Sequence, residues 1–351
     1  MELGRGVIYF ITEQDGAGRT DYVKIGLVGD AEGRTSLARM KEHQTGNPRQ
    51  LQLPHEVETV FVTTVESRLH NEYAARRVSG EWFKFDDSGL ASAVDRCRAL
   101  AEEYQREIPI LEEAERLSAI PSTDDLAAET PESQAWRMKH AAASRGTAIL
   151  DEATERLKDY FKHLHGQGVD VRHVAKVSES QGKRSFDSDA FMALYPELWA
   201  KYQVTSTKIS SNGLRPTPLR DLPPEGIGVD DAARLSERLV AGVELSDSSF
   251  EGLSSLHDTY LELIGLQPLY AEQKALASAH LKVLCGEHSG IENVCTWKRT
   301  MKEETKLDEA AIKELHNEQY LACVTVGNPV VTVNPLRRSR SIDRPLLEQK
   351  P

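Results

Sequence analysis

The chain is poor in cysteine, has no long apolar run and carries no excess of positive charge. Its four cysteines, Cys97, Cys285, Cys295 and Cys323, are scattered through 351 residues and no two form a CxxC pair. Neither a disulfide framework nor a structural zinc site is therefore expected. No apolar stretch approaches the ~20 residues that a membrane span requires. Met1-Glu2-Leu3-Gly4-Arg5 is followed by no secretory apolar core, so a cytoplasmic protein with no membrane attachment is expected. Lysine and arginine total 43 against 55 acidic residues, a net charge of −12. That balance argues against a protein that coats nucleic acid by charge alone, because phosphate binding draws on cations. It leaves room for a local cationic site. The acidic residues gather between Glu112 and Glu132, whereas Arg337-Arg338-Ser339-Arg340 and Arg344 stand near the far end.

What is present fits soluble globular domains: 39% hydrophobic and 28% charged residues. The length suits two or three domains. Val7-Ile8-Tyr9-Phe10-Ile11 is β-branched and aromatic and predicts a buried strand. Gln14 to Gly18 predicts a turn, and Tyr22-Val23-Lys24-Ile25 the returning strand of a hairpin. Thr35 to Gln44 has helical spacing, with Leu37 and Met40 facing inward, and Thr45-Gly46-Asn47-Pro48 stops it. Val57 to Val62 predicts a third strand, Thr64 to about Arg77 a helix, and Gly80 to Phe85 a short strand with aromatic anchors. Ser88 to Arg106 predicts a helix with Leu90, Val94, Cys97, Leu100 and Ala101 on one face. The expectation is a compact α/β domain over residues 1–108, a small mixed sheet flanked by helices.

Residues 109–134 are acidic and read either as a solvated helix or as a partly ordered linker, the linker being the expectation. Trp136 to His165 predicts a long amphipathic helix with Ile149, Leu150, Ala153, Leu157, Tyr160, Phe161 and Leu164 on one stripe. An internal repeat follows. Phe186-Asp187 leads to Pro196-Glu197-Leu198-Trp199, Tyr202 and Leu214-Arg215. Leu307-Asp308 leads to Asn317-Glu318-Gln319-Tyr320, Cys323 and Leu336-Arg337. The gap from Asp187 to Trp199 equals that from Asp308 to Tyr320. Each copy predicts an Asp-capped helix, a second short helix and an extended segment. Residues 135–220 and 221–345 are thus expected to form a mainly α-helical region built from a duplicated module, with a basic tail.

Tyr9, Lys24-Ile25-Gly26, Arg39 to Pro48, Glu66-Ser67-Arg68-Leu69-His70 and Gly80-Glu81-Trp82-Phe83 occur in an order that resembles the GIY-YIG nuclease superfamily, its phage-type branch in particular. The resemblance covers about residues 5–86. It implies a metal-dependent DNA endonuclease that cuts a phosphodiester with one divalent ion, Mg²⁺ or Mn²⁺, held by Glu66. A hard cation of this kind needs only one or two carboxylates besides water and phosphate. The resemblance gives Arg39 the scissile phosphate, a role that suits a guanidinium's paired donors. It gives Tyr9 the task of orienting or deprotonating the attacking water. Lys24 stands where the family has its second tyrosine, and an ammonium there could bind phosphate or lower the tyrosine's pKa. His43, one turn beyond Arg39 on the same face, is a candidate for proton transfer. His70 and Glu81 are supporting candidates, and Arg34, Arg337 and Arg338 are candidate phosphate contacts. The family's usual asparagine near the domain end has no clear match.

Thr296-Trp297-Lys298, Leu307-Asp308 and Leu336-Arg337 resemble the C-terminal appendage of YqaJ-type phage recombination exonucleases. The first copy keeps Phe186-Asp187, Pro196-Glu197-Leu198 and Arg215 but has Ala175-Lys176 in place of the tryptophan and lysine. No Asp…Glu-x-Lys core precedes either copy. The resemblance implies a module that binds DNA ends or a protein partner, or self-associates, and not a second active centre. A phage, prophage or anti-phage setting follows from the same families. The alternative is a non-catalytic nucleic-acid-binding or assembly protein on a degenerate nuclease fold.

Overall fold

The computed structural model describes residues 4–29, 33–219, 229–245 and 248–336. Arg337 and Arg338 lie outside the described residues. β1 (Gly6–Asp15) and β2 (Gly18–Gly29) form the expected hairpin. Its turn closes through the Ala17 N–H, which donates to Asp15 Oδ1 at 2.8 Å, and Gly18 takes the positive φ of +122° that favours glycine. Then follow α1 (Ser36–Gln44), β3 (Gln50–Thr59), α2 (Val62–Glu72), a 3-10 turn at Ala74–Arg76, β4 (Arg77–Ser79), β5 (Trp82–Lys84) and α3 (Asp87–Gln105). The sheet runs β3-β1-β2-β5-β4, and all its pairings are antiparallel rather than mixed.

Alternation along β1 and β2 sends side chains to two unlike faces. Ile8, Phe10, Val23 and Ile25 meet Val65 and Leu69 of α2 and Leu90, Val94, Cys97 and Leu100 of α3 in the main core. Phe83 and Phe85 are fully buried there, each stabilising by roughly 2–3 kcal/mol relative to exposure. Tyr9, Ile11 and Lys24 point the other way, towards α1. β3 begins seven residues before the expected start because it is an edge strand. An edge tolerates Pro54, and the pairing with β1 shifts register beside it, between Phe10 and Thr12. The strand stops at Thr59 because Phe61 adopts φ +52° and turns the chain into α2. Leu37 is 49% exposed, contrary to expectation.

The acidic stretch expected as a linker is ordered. α4 (Ile108–Ser118) buries Leu111, Ala114 and Leu117, one face of a helix, while Glu112 and Glu115 stay exposed. Acidic composition masked this three-residue spacing. Farther on, the backbone of Ser122, Thr123 and Ala127 donates to carbonyls of Arg299, Glu287 and Gly290. α5 (Pro131–Gly166) starts five residues before Trp136, at a capping box formed by Thr130 and Ser133. Its expected stripe is the core of a bundle with α8 (Val229–Leu245), α9 (Phe250–Ile264) and α10 (Gln267–Cys285). Gly146 lets α5 and α10 approach, since a Cβ there would lie 2.6 Å from the Tyr270 ring. α10 also packs on α4 through Ala279. His280 bonds Glu107 at 2.8 Å and stacks on Trp136, so one helix touches both halves of the protein.

The repeat is a pair of equivalent pieces. One comprises β6 (Ala175–Ser180), β7 (Arg184–Phe186), α6 (Ser188–Leu194), α7 (Pro196–Lys201) and β8 (Gln203–Ser211), with β9 (Arg215–Pro216) beyond. The other follows β10 (Gly290–Ile291) and β11 (Cys295–Thr296). It comprises β12 (Arg299–Leu307), α11 (Glu309–Leu315), α12 (Asn317–Ala322), β13 (Val324–Val326) and β14 (Val330–Pro335). Asp187 Oδ1 accepts from Ala190 N at 2.9 Å, and Asp308 Oδ1 from Ala311 N at 2.9 Å. Asp187 N donates to Cys323 O and Asp308 N to Tyr202 O, both at 2.8 Å. These reciprocal bonds define an approximate two-fold axis. β8 pairs with β12, β7 with β13 and β6 with β14, all antiparallel. The copies are therefore interlocked, around Phe191 and Ile312.

Because the two aspartates cap equivalent helices, Asp187→Ala and Asp308→Ala are each expected to cost about 1 kcal/mol. Urea denaturation of the two variants should give equal losses. A loss confined to one would show that the copies are not energetically equivalent.

Candidate functional site

The sheet face opposite the main core carries Tyr9 and Lys24 on adjacent strands. Tyr9 pairs in register with Gly26, and the absence of a side chain there is required. A Cβ on Gly26 would stand 2.5 Å from Tyr9 Oη. Lys24 pairs with Trp82 of β5. Its ammonium donates to Glu81 Oε2 at 2.6 Å, with the lysine side chain 8% and the glutamate 21% exposed. The pair lies against Tyr9, whose hydroxyl pKa rises to about 12. Burial is the main cause, and the charges of Glu81 and Glu66 add to it while Arg39 opposes them. Tyr9 therefore holds its proton at neutral pH and serves as a hydrogen-bond donor, not as a phenolate base.

α1 lies over this face. Thr35 caps it, accepting from Ala38 N at 3.2 Å. Ser36, Arg39 and His43 follow at positions i, i+3 and i+7, one side of a helix. Ser36 Oγ, Arg39 Nε and His43 Nε2 are all buried without a hydrogen-bond partner. An orphaned buried polar atom costs roughly 1–3 kcal/mol, so three on one helix face mark a surface shaped for something other than packing. This polar inner face is the reason that Leu37 points outward. The His43 pKa is lowered, first by burial and then by the charges of Lys24 and Arg39, so the ring is neutral at pH 7. Arg39 donates to Glu42 Oε2 at 2.9 Å, and its guanidinium is close enough to Tyr9 for the two to act on each other. Arg34 sits 3.7 Å from Glu42, half exposed, at the outer end of the helix.

Glu66 is on α2, half-buried, close enough for its charge to act on Tyr9 and Arg77. His70, one turn along, bonds Ile25 O at 3.0 Å and packs on Phe83 with ring centroids 5.1 Å apart. Burial takes its pKa down to about 4. His70 is thus a neutral ring that ties α2 to β2.

Tyr9, Lys24, Arg39, His43, Glu66 and Glu81 are brought together. His70 borders them, and Arg34 stands aside. Ser36 was missed from the sequence. Its only signal is the three-residue step to Arg39, which reads equally as an ordinary polar helix face. Glu81, expected as a supporting residue, pairs directly with Lys24, a contact that only the β2–β5 pairing reveals. In the helical half, Trp297 is buried beneath the Arg299 guanidinium at 3.6 Å and Lys298 pairs with Asp124. Trp297 and Arg299 serve packing, whereas the Lys298–Asp124 pair is exposed.

Among the described residues, no group of three or more His, Cys, Asp or Glu side chains could cage a metal ion. Glu66, whose charge reaches Tyr9, is a single carboxylate, and a hard cation can bind through one carboxylate only where water and phosphate complete its shell. No helix of the described residues is long and apolar enough to cross a membrane.

Residues 6–102 match the T5orf172 domain, a phage-associated domain of nuclease-type fold. The match ends within α3 and leaves out the helical half. No curated protein and no solved structure matches the chain.

The depressed pKa of His70 links stability to pH. The unfolded chain takes up a proton near pH 6.5, but the folded ring does so only near 4. Its contribution is therefore intact above about 6.5 and is lost as pH falls to about 4, by roughly 2–3 kcal/mol. His70→Gln keeps a donor for Ile25 O and removes the titration. Denaturation between pH 7 and 4 should show a shallower loss for the variant than for the native protein. Parallel curves would place the His70 pKa at its ordinary value.

Proposed function

We propose that this chain is a metal-dependent DNA endonuclease of GIY-YIG type, with its active centre between α1 and the β1–β2 hairpin. The observation that carries the reading is the polar inner face of α1. Arg39 and His43, together with Ser36, turn buried and incompletely bonded atoms towards Tyr9 and the Lys24–Glu81 pair. The T5orf172 match over the same residues supports a nucleic-acid substrate.

Glu66 would hold one Mg²⁺ or Mn²⁺, and the bound ion would stabilise negative charge on the leaving oxygen. Arg39 binds the phosphate. Its guanidinium can exchange Glu42 for two phosphate oxygens in a paired, charge-assisted contact. Tyr9, kept protonated by burial, orients the attacking water. His43, neutral at pH 7, accepts that water's proton at Nε2, the atom left without a partner. Lys24 contributes positive charge beneath the phosphate, and Glu81 fixes its ammonium there. The helical half selects substrate or recruits a partner.

A second reading, a non-catalytic nucleic-acid-binding protein, is favoured by one feature. Arg39 and Lys24 are each already matched by a carboxylate of the same chain, so neither cation is free of a competitor for phosphate.

Cleavage of supercoiled plasmid in Mg²⁺ or Mn²⁺ separates the two. Nicking or linearisation is expected from the native chain. It should fall by on the order of 100-fold or more in Glu66→Ala and in Arg39→Ala, the scale of losing one transition-state contact. Activity that survives Glu66→Ala would sink the assignment of the site. Binding with no cleavage of plain, branched or modified DNA would establish the second reading. The pH–rate profile tests His43. Because its pKa is lowered, activity should hold as pH falls through 6.5 and decline only below it. His43→Gln should lower the rate and flatten that acid limb. An unchanged limb would assign the proton transfer elsewhere.

A further inference from the structure

β8 and β12 form a two-stranded ribbon of nine consecutive pairs, from Arg299 opposite Ser211 to Leu307 opposite Gln203. It joins the two copies of the repeat, and of its eighteen residues only Arg299 is buried. A two-stranded ribbon exposed on both faces is marginal in water. Its dimensions are about 30 Å in length, at roughly 3.3 Å per residue, and two strands in width.

Its two faces differ. One carries the apolar pair Ile209 and Met301. The other carries Lys208 directly opposite Lys302, with Lys306 farther along, Ser206 between them and the Ser210–Thr300 pair beyond Lys208 and Lys302. Like charges placed opposite each other destabilise a ladder, so the Lys208–Lys302 pairing counts against the free ribbon and favours an anion laid across it. Glu304 lies against Lys208 and Lys306 and relieves part of this repulsion. The face stays net positive on a chain whose total is −12. It is rich in hydroxyl donors, and Val204 is its one apolar side chain. A protein partner would leave those lysines and hydroxyls to be desolvated against little apolar contact.

We propose that the lysine face of the β8–β12 ribbon is a docking surface for duplex DNA. A two-stranded ribbon is one of the two shapes that the major groove of B-form DNA admits. Lysine and hydroxyl side chains supply the phosphate contacts that set position along a duplex. The deep, narrow major groove of A-form RNA does not admit it. The inference rests on DNA being the ligand of the chain, but not on cleavage.

The test uses the full chain carrying Glu66→Ala, in EDTA, with a fluorescent 30-base-pair duplex followed by anisotropy across a salt series. Binding that weakens with salt is expected. Lys208→Gln, Lys302→Gln and Lys306→Gln should each reduce the slope of log affinity against log salt by about 0.9. The triple variant should weaken binding at least about tenfold at low salt. Thermal melting of each single variant guards against misfolding, since single exposed lysines leave the fold intact. A triple variant with native affinity and slope overturns the proposal. So does a native chain that fails to bind the duplex, or that binds single-stranded RNA or a protein through these lysines instead. A chain that binds DNA through the ribbon but never cleaves would leave this inference standing and remove the endonuclease reading alone.

Discussion

A lysine and a glutamate held together out of water organise the N-terminal domain. The Lys24–Glu81 contact, at 2.6 Å, joins the central strand β2 to the loop entering β5 on the sheet face that lacks the main core. Removing two charges from water is costly unless geometry and further bonds compensate. Here the pair sits beneath a helix whose inner face is also polar, and its charges act on Tyr9 and His43 alongside burial, the larger cause at both. Glu81 adds to the burial that keeps the Tyr9 proton in place. Lys24 adds to the burial that keeps His43 neutral. The two ring groups thereby take opposite parts near neutral pH, one a donor and one an acceptor. A purely apolar α1–sheet contact would be more stable and chemically idle.

The two sheet faces divide the tasks. The α2–α3 face holds the apolar core and lends rigidity. The α1 face is thinly packed, with Ile11, Val28, Leu51 and Met40 around the polar groups. The candidate residues brought together, Glu81 apart, stand on strands and helices, a placement that suits chemistry needing fixed distances. α10 connects the domain to the rest of the protein, packing on α2 and α4 on one side and on α5 on the other. Glu272 of α10 is nearly fully buried beside Tyr104 of α3, and burial brings its carboxyl pKa up to about 7. The junction between the halves thus contains an ionisable group of its own.

Duplication gave the helical half a different construction. Either copy alone would leave its short helices and strands without a core. Pairing across the approximate axis closes that core around Phe191 and Ile312 and produces two ribbon arms. One arm is uninterrupted. The other is broken between β7–β13 and β6–β14, where Gly182 approaches Gly327 so closely that a Cβ would strike its carbonyl.

Much of this was legible in the amino-acid order. The alternation of Val7 to Ile11, the turn signal from Gln14 to Gly18, the helical stripe from Leu90 to Ala101 and the capping aspartates are local signals, and the structure keeps them. The ordered appearance of Tyr9, Arg39 and Glu66 likewise marked candidate residues that the fold then places in one region of the N-terminal domain. The misreadings had non-local causes. β3 could begin at Gln50 only because β1 supplies a partner for it. Leu37 turned outward because the inner face of α1 is given to the polar groups Ser36, Arg39 and His43. α4 could not be told from a linker because its apolar spacing is set among glutamates and gains meaning only against α10. The partnership of Glu81 with Lys24, 57 residues away, and the interlocking of the two repeats belong to the same class. Sequence by itself determined the elements, the repeat and the candidate residues, since these depend on neighbours within a few positions. Tertiary structure alone decided which side chains share a buried space, because burial and charge pairing arise only when distant segments exclude water together.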